Sequence, residues 1–139
     1  MSYDIHITRG TDWSEEERPV TLDEVRSIMY RLSDKFRIEE SGVISIENPN
    51  GQNLTMKAGP YLEYTGENGE KTCVLFTEGR SPSFRYQSDG QLLAMCAVCE
   101  AVGAKLMGDE GEEYDRQQIE NRLMAQIYKR EGEDGILDD

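Results

Sequence analysis

Short extended segments separated by strong turn signals fill the middle of the chain, and they constrain its fold more than any other feature. Residues 43–46 lead into the turn sequence Asn48-Pro49-Asn50-Gly51, and the extended pattern resumes at residues 54–56. Further extended segments are residues 61–64, 73–76 and 83–86. The connections are too short for the crossovers that parallel strands require, so this region predicts an antiparallel meander.

The start of the chain has the pattern of a half-buried strand. Tyr3, Ile5 and Ile7 alternate with polar residues, so one face of the strand is apolar. On this alternation His6, the one histidine of the chain, lies opposite Ile5 and Ile7 and faces solvent or a second layer.

Three helices are predicted by apolar residues at helical spacing. The first covers about residues 22–34, with Thr21 as the expected N-cap and Glu24 at the spacing of a capping box. The second covers about residues 89–106 and the third about residues 115–130. The acidic residues 131–139 are expected to form a mobile tail.

These elements predict one α+β domain over residues 1–139. An antiparallel sheet of about four to five strands carries about three helices on one face. A chain of 139 residues is of ordinary size for one domain. It buries enough surface to fold without metal or disulfide staples.

Acidic side chains far outnumber basic ones. Asp and Glu total 28 and Lys and Arg total 15, which gives a formal net charge of −13. Such a surface repels the phosphates of nucleic acids and anionic lipids, and it attracts basic protein surfaces. The charge therefore favours a basic protein partner over nucleic acid or membrane, although acidity that serves solubility alone is an equal alternative.

The start of the chain has no basic segment followed by an apolar one, and no apolar run approaches the length of a membrane span. The three cysteines are an odd number and do not predict a disulfide framework. We therefore expect a cytoplasmic protein.

Cys96-Ala97-Val98-Cys99 has the two-residue spacing of redox and zinc motifs. The pair falls in the middle of a predicted helix, on its apolar side, where cysteine packs as a small hydrophobe. A zinc site would need Cys73 and His6 as its other ligands. We expect core packing, with no metal and no cofactor.

Neither a nucleophile oriented beside His6 nor a glycine-rich phosphate loop is indicated, so the sequence predicts a protein that is not an enzyme.

Two acidic clusters are candidates for partner contact. Residues 12–17 surround Trp13, which either packs on the core or is an exposed binding anchor. Residues 108–115 either cap the last helix as a solvated loop, contact a basic partner, or bind calcium, for which the ligand spacing of an EF-hand is missing. Tyr61, Glu63 and Tyr86 are candidates for the outer face of the sheet. The predicted partner-binding residues are Trp13, Glu15, Glu16, Glu63, Asp109, Glu110, Glu112 and Glu113.

Both ends of the chain carry a resemblance. Residues 1–9, MSYDIHITR, followed by Asp12-Trp13 and residues 19–24, PVTLDE, resemble the start of a group of small bacterial proteins of largely unassigned function. Residues 101–114, AVGAKLMGDEGEEY, resemble the same group, and the central strands do so only loosely. These proteins are immunity-like and are paired with secreted toxins of polymorphic or type VI systems. The resemblance implies neither a toxin nor a contact residue.

Charge and resemblance together predict an immunity protein that neutralises a toxin by stoichiometric binding, with a nuclease as the preferred target. A nuclease cleft is basic because it binds phosphates, and carboxylates can substitute for them. One alternative is an acidic adaptor or regulatory protein with another basic partner. A second alternative is a thiol or metal enzyme built on Cys73, Cys96, Cys99 and His6.

Overall fold

Nine strands and three helices follow one another along residues 3–136, the part of the chain that this computed structural model describes. In chain order they are β1 (Asp4–Thr8), α1 (Leu22–Ile28), β2 (Phe36–Glu39), β3 (Val43–Glu47), β4 (Asn53–Lys57), β5 (Tyr61–Thr65), β6 (Lys71–Val74), β7 (Ser83–Arg85), α2 (Asp89–Val102), β8 (Lys105–Gly108), β9 (Glu113–Tyr114) and α3 (Arg116–Ile136).

The strands form three separate antiparallel sheets, in the orders β7-β1-β8-β9, β2-β5-β6 and β3-β4. The predicted α+β class is confirmed, but the single meander of four to five strands is wrong. The first strand pairs with β7 and β8, which are distant in sequence, and β3-β4 is an excursion between β2 and β5, which pair with each other. Pairing between distant segments leaves no local sequence signal, which is why the number of sheets was missed.

β1 lies in the middle of the largest sheet, hydrogen-bonded to β7 on one edge and β8 on the other. Ile5 and Ile7 are almost completely buried and belong to the hydrophobic core. His6 and Thr8 point to the opposite face, where they are also buried. Of the two alternatives for His6, solvent or a second layer, the second is the one found.

α2 is the central helix of the core. Ser88 caps its start by accepting a hydrogen bond from the Gln91 N–H, and Gly103 ends it in the left-handed conformation at φ 71°. Cys96 and Cys99 are buried among the core side chains, which confirms that they pack as hydrophobes.

The prediction that this helix continues to residue 106 is wrong. Residues Lys105–Gly108 form β8, and Leu106 reaches the core from a strand that pairs with β1. The apolar residues at 102 and 106 fitted the helical period by coincidence, and Gly103 ended the helix before that period did.

The capping box at Thr21 and Glu24 is confirmed at the start of α1. The helix ends at Ile28, earlier than predicted, and a short 3-10 turn over Met29–Arg31 follows it. Strand β2 then begins at Phe36, which is buried and pairs with Tyr64. Four residues among polar neighbours give too short an alternation for the sequence to predict this strand.

α3 extends to Ile136, beyond the predicted end near residue 130. The expected mobile tail over residues 131–139 is therefore helical up to 136, and residues 137–139 lie outside the described residues. Among residues 3–136, no helix combines the length and apolar character of a membrane span.

The β3-β4 hairpin is attached where two backbone segments cross closely. A Cβ on Gly42 would lie 2.6 Å from the carbonyl carbon of Gly59, and Gly42 has φ +68°. The Ala58 N–H donates a hydrogen bond of 2.7 Å to the Gly42 carbonyl. Only glycine fits at this crossing without displacing the backbone.

We expect Gly42→Ala to destabilise the fold more than Gly103→Ala, its matched control. Both residues have left-handed φ, so each alanine costs about 1 kcal/mol of conformational strain. A Cβ on Gly103 meets nothing within 4 Å, whereas one on Gly42 clashes with backbone, which adds about 1–3 kcal/mol. Urea unfolding monitored by circular dichroism measures both, and equal losses would show that the crossing is not tight.

Candidate functional site

The two predicted acidic clusters meet on the outer face of β1. The Trp13 ring stacks on the His6 ring with centroids 3.7 Å apart and planes 2° from parallel. His6 Nε2 lies 2.8 Å from Asp109 Oδ1, and Trp13 Nε1 donates to the Asp109 carbonyl over 3.3 Å. Segment 12–17 and turn 109–111 are thus joined through His6 and by the direct Trp13–Asp109 hydrogen bond, although 96 residues separate Trp13 from Asp109 in sequence.

We call the resulting surface the acidic edge and define it by Asp12, Trp13, Glu15, Glu17, Asp109 and Glu110. The side chains of Asp12, Glu15, Glu17 and Glu110 are exposed, and Trp13 is half-buried. A hollow of about 310 Å³ beside Trp13 is lined by Asp12, Asp109 and Glu110 and by no basic side chain. A second hollow, of about 440 Å³, lies on the side of Trp13 where His6, Leu75 and Arg80 are found.

Asp12 shapes the start of this surface. Its carboxylate accepts hydrogen bonds from the Ser14 hydroxyl (2.7 Å) and the Ser14 N–H (2.9 Å). It thereby caps the short 3-10 turn Trp13–Glu15. These bonds to its ionised form lower the pKa of Asp12, so the carboxylate stays charged well into acid.

Glu16 fastens segment 12–17 to the end of β1. Its carboxylate accepts hydrogen bonds from the Thr8 hydroxyl, the Arg9 N–H (2.7 Å), the Gly10 N–H (3.2 Å) and the Arg18 N–H (2.9 Å). Burial alone would raise the pKa of Glu16, but these bonds outweigh it and lower the pKa to about 2. Glu16 therefore holds segment 12–17 against the end of β1. Its carboxylate oxygens already accept hydrogen bonds within the chain.

Turn 109–111 is held from its other side by Asp109. Besides His6, the Asp4 N–H donates to its carboxylate at 3.0 Å. Burial raises the pKa of Asp109, but the Asp4 and His6 hydrogen bonds lower it by more, so the net shift is downward. Asp109 consequently remains an anion in mildly acidic solution.

Of the glutamates predicted in this hairpin, Glu110 is the one without a side-chain partner among the described residues. Glu112 accepts hydrogen bonds from the Tyr3 and Tyr114 hydroxyls, which lower its pKa. Glu113 forms an ion pair with Lys105 at 2.8 Å. Glu112 and Glu113 therefore have intramolecular partners, and contact of these three glutamates with a partner protein stays a prediction.

Glu63 was predicted as a partner-binding residue on an open sheet face, and that position is wrong. It is 4% exposed on the central strand β5, and it pairs with Arg37 at 3.0 Å and Lys71 at 3.5 Å. Tyr61 is buried as well, and only Tyr86 is partly exposed. The strands β2 and β6 flank β5 on both edges, which the sequence did not reveal because β2 was missed.

The structure therefore brings together Trp13, Glu15, Glu16, Asp109 and Glu110 from the predicted set. Glu112 and Glu113 lie on the same hairpin with partners of their own, and Glu63 lies in another sheet. Sequence reasoning missed His6 as the link between the segments. The alternation in β1 left open whether His6 faces solvent or a second layer, and nothing in the sequence identified Trp13 and Asp109 as that layer.

A further hollow, of about 630 Å³, lies away from this edge, between α2 and the β5-β6 hairpin. Two of the basic side chains that line it are paired: Arg116 Nε lies 2.8 Å from Glu100, and Lys35 Nζ lies 3.6 Å from Glu67. The third, Arg31, is exposed and forms no ion pair among the described residues. Glu67 and Glu70 line the same hollow, so its walls carry both signs of charge and do not indicate one class of ligand.

The cysteines lie in environments that suppress thiolate formation. Desolvation raises the pKa of Cys96 to about 11 and raises the pKa of Cys99 further. Desolvation also raises the pKa of Cys73, which is half-buried on β6. Among the side chains that the structure describes, those of residues 3–129, no group of three His, Cys, Asp or Glu is arranged to hold a metal ion.

Comparison with protein-family models, characterised proteins and solved structures returned no match to this chain. The resemblance to immunity-like proteins thus remains a prediction from the two terminal segments.

We expect Glu16→Gln to lower the free energy of unfolding near pH 7 by about 1–2 kcal/mol. The substitution removes the charge from the hydrogen bonds that the partly solvated Glu16 carboxylate accepts. A carboxyl with a lowered folded pKa stabilises the fold above its unfolded pKa, and that contribution disappears as pH falls toward its folded pKa of about 2. The difference between wild type and Glu16→Gln should therefore shrink from pH 5 to pH 2. Glu17→Gln, an exposed neighbour, is the control, and a difference independent of pH would refute this role of Glu16.

Proposed function

We propose that this chain is an immunity-type protein that neutralises a secreted bacterial toxin by stoichiometric binding, and that the acidic edge is its contact surface. The observation that most supports this proposal is that two acidic segments, distant in sequence, meet around one half-buried tryptophan. We expect the protein to act in the cytoplasm, with a nuclease as the preferred target and no reaction of its own.

Exposed carboxylates at one edge serve association in two ways. Their field raises the rate at which a basic surface arrives, and complementary charge fixes the orientation of the complex. Asp12, Glu15, Glu17 and Glu110 are exposed and thus able to meet a partner. A nuclease, whose cleft is basic to bind phosphates, is the toxin class that this field fits best.

Trp13 is the candidate for a binding hot spot, which exposed charges alone do not provide. Binding energy in protein interfaces concentrates in a few aromatic or arginine side chains surrounded by polar contacts. Trp13 is half-buried, fixed by its stack on His6, and bordered by hollows on two sides. A fixed side chain loses little conformational freedom on binding, which favours tight complexes.

The β3-β4 hairpin presents an apolar face that also favours a role in protein binding. Ile46 (52% exposed) pairs with Leu54 (56%), and Met56 (53%) follows on the same face. A two-stranded sheet with one uncovered apolar face is marginal in water by itself. This face is compatible with the toxin as partner and equally with the alternative function, an adaptor or regulator that binds another basic protein.

The location of the gene distinguishes the two functions. An immunity gene lies beside the gene of its toxin, whereas an adaptor has no such neighbour. Co-expression with the product of the adjacent gene should restore growth to cells that this product kills, and the two proteins should co-purify. Growth rescue by a variant that no longer binds would contradict neutralisation by binding.

We expect the triple variant Glu15→Gln, Glu17→Gln, Glu110→Gln to associate with that toxin roughly tenfold more slowly and with a weaker dependence on salt, since the local field is reduced. The matched control removes three exposed carboxylates elsewhere, by Asp34→Asn, Glu47→Gln and Glu70→Gln, with the same change of net charge. Stopped-flow association kinetics at several salt concentrations measures both. Equal slowing in the two variants would show that overall charge, and not the acidic edge, attracts the partner.

A further inference from the structure

The one histidine of the chain is stacked on its one tryptophan beneath the acidic edge. His6 is 7% exposed, and its Nε2 lies 2.8 Å from Asp109. It therefore contacts both acidic segments at once, Trp13 through the ring face and Asp109 through the ring edge. The charge of an imidazole depends on pH, so the strength of these two contacts can depend on pH as well.

We propose that His6 is a positioning residue that holds segment 12–17 and turn 109–111 together, and that it does so more firmly when its imidazole is protonated. The geometry of the acidic edge then depends on pH. The biological use of this dependence rests on the proposed function, whereas the dependence itself is a property of the free protein.

Protonation strengthens both contacts that His6 makes. A neutral imidazole with its hydrogen on Nε2 donates a hydrogen bond to the Asp109 carboxylate in which only the acceptor is charged. An imidazolium donates to the same carboxylate with both partners charged, and this ion pair is stronger. The imidazolium also lies as a cation against the indole face, where the ring quadrupole attracts it. One proton thus tightens the link to Trp13 and the link to Asp109 together.

The charged groups around His6 come from every element packed on it. Asp4 lies on its own strand, Asp109 and Glu110 on the turn, and Glu16 and Arg80 on the walls of the adjacent hollow. Its strand neighbours are uncharged, Ser83 on β7 and Met107 on β8. Carboxyl and guanidinium groups ordinarily change charge outside pH 5–8, so the imidazole is the group of this cluster suited to respond within that range.

The direction of the effect follows from the two charges. The ion pair exists only while Asp109 is an anion and His6 is a cation. The pKa of Asp109 is lowered, so the carboxylate persists in mild acid. The edge is therefore most firmly held in mildly acidic solution, and it loosens as the imidazole loses its proton.

The fluorescence of Trp13 reports this state directly, since no other tryptophan contributes. Between pH 5 and pH 8 the emission of the wild type should change along a one-proton curve. His6→Gln should remove that change, and Glu17→Gln, on the same segment without contact to His6, should keep it. A flat wild-type emission, or a response that survives in His6→Gln, would overturn the proposal.

Hydrogen exchange measures how strongly His6 holds segment 12–17 in place. Protection of the amides in segment 12–17, corrected for the intrinsic rates, should be about two- to fivefold greater at pH 5.5 than at pH 8, the size of an exposed cation–π contact. Asp109→Asn should reduce this gain because the ion pair cannot form. Equal protection at both pH values in the wild type would overturn the proposal.

A measurement on the unaltered protein covers the case in which His6→Gln fails to fold. The ring protons of the single histidine should show nuclear Overhauser contacts to the Trp13 indole at both ends of the pH range, and their shifts should follow the fluorescence curve. Absence of those contacts would refute the stack. These results need no toxin, so a failure of the proposed function leaves them unchanged.

Discussion

The alternation of side chains in β1 is the constraint on which the rest of the structure depends. Because β1 is paired on both edges, its two faces are fixed. Ile5 and Ile7 anchor the core, while His6 and Thr8 present polar atoms on the other side. Each of these two receives one side chain from segment 12–17: Trp13 stacks on His6, and Glu16 accepts from Thr8. A shift of one residue in register would exchange the faces and remove both the core and the edge.

The carboxylates of this chain divide into two kinds. Some are used internally: Glu16 caps N–H groups, and Glu63 balances two basic side chains in the β5 sheet. Others, such as Glu15, Glu17 and Glu110, are exposed on the acidic edge. The internal carboxylates fix the backbone that presents the exposed ones. Net charge alone therefore overstates the number of acidic groups that a partner can meet, and their placement carries the functional argument.

The sequence predicted local structure well and long-range structure poorly, for physical reasons. The capping box at Thr21 and the paired segments around residues 48–51 are encoded by neighbours in sequence, and both were confirmed. β8 was predicted as helix because its apolar residues also fit the helical period. The acidic edge was predicted as two separate clusters, since the contact of His6 with Asp109 spans 103 residues and leaves no local pattern.

The central claim is that the two acidic segments bind a basic protein as one surface. Hydrogen exchange of this chain in complex with the basic toxin that we propose as its partner tests that claim most directly. The account predicts slowed exchange in residues 10–17 and 108–113 together. Slowed exchange confined to the β3-β4 hairpin, with both acidic segments unchanged, would contradict it.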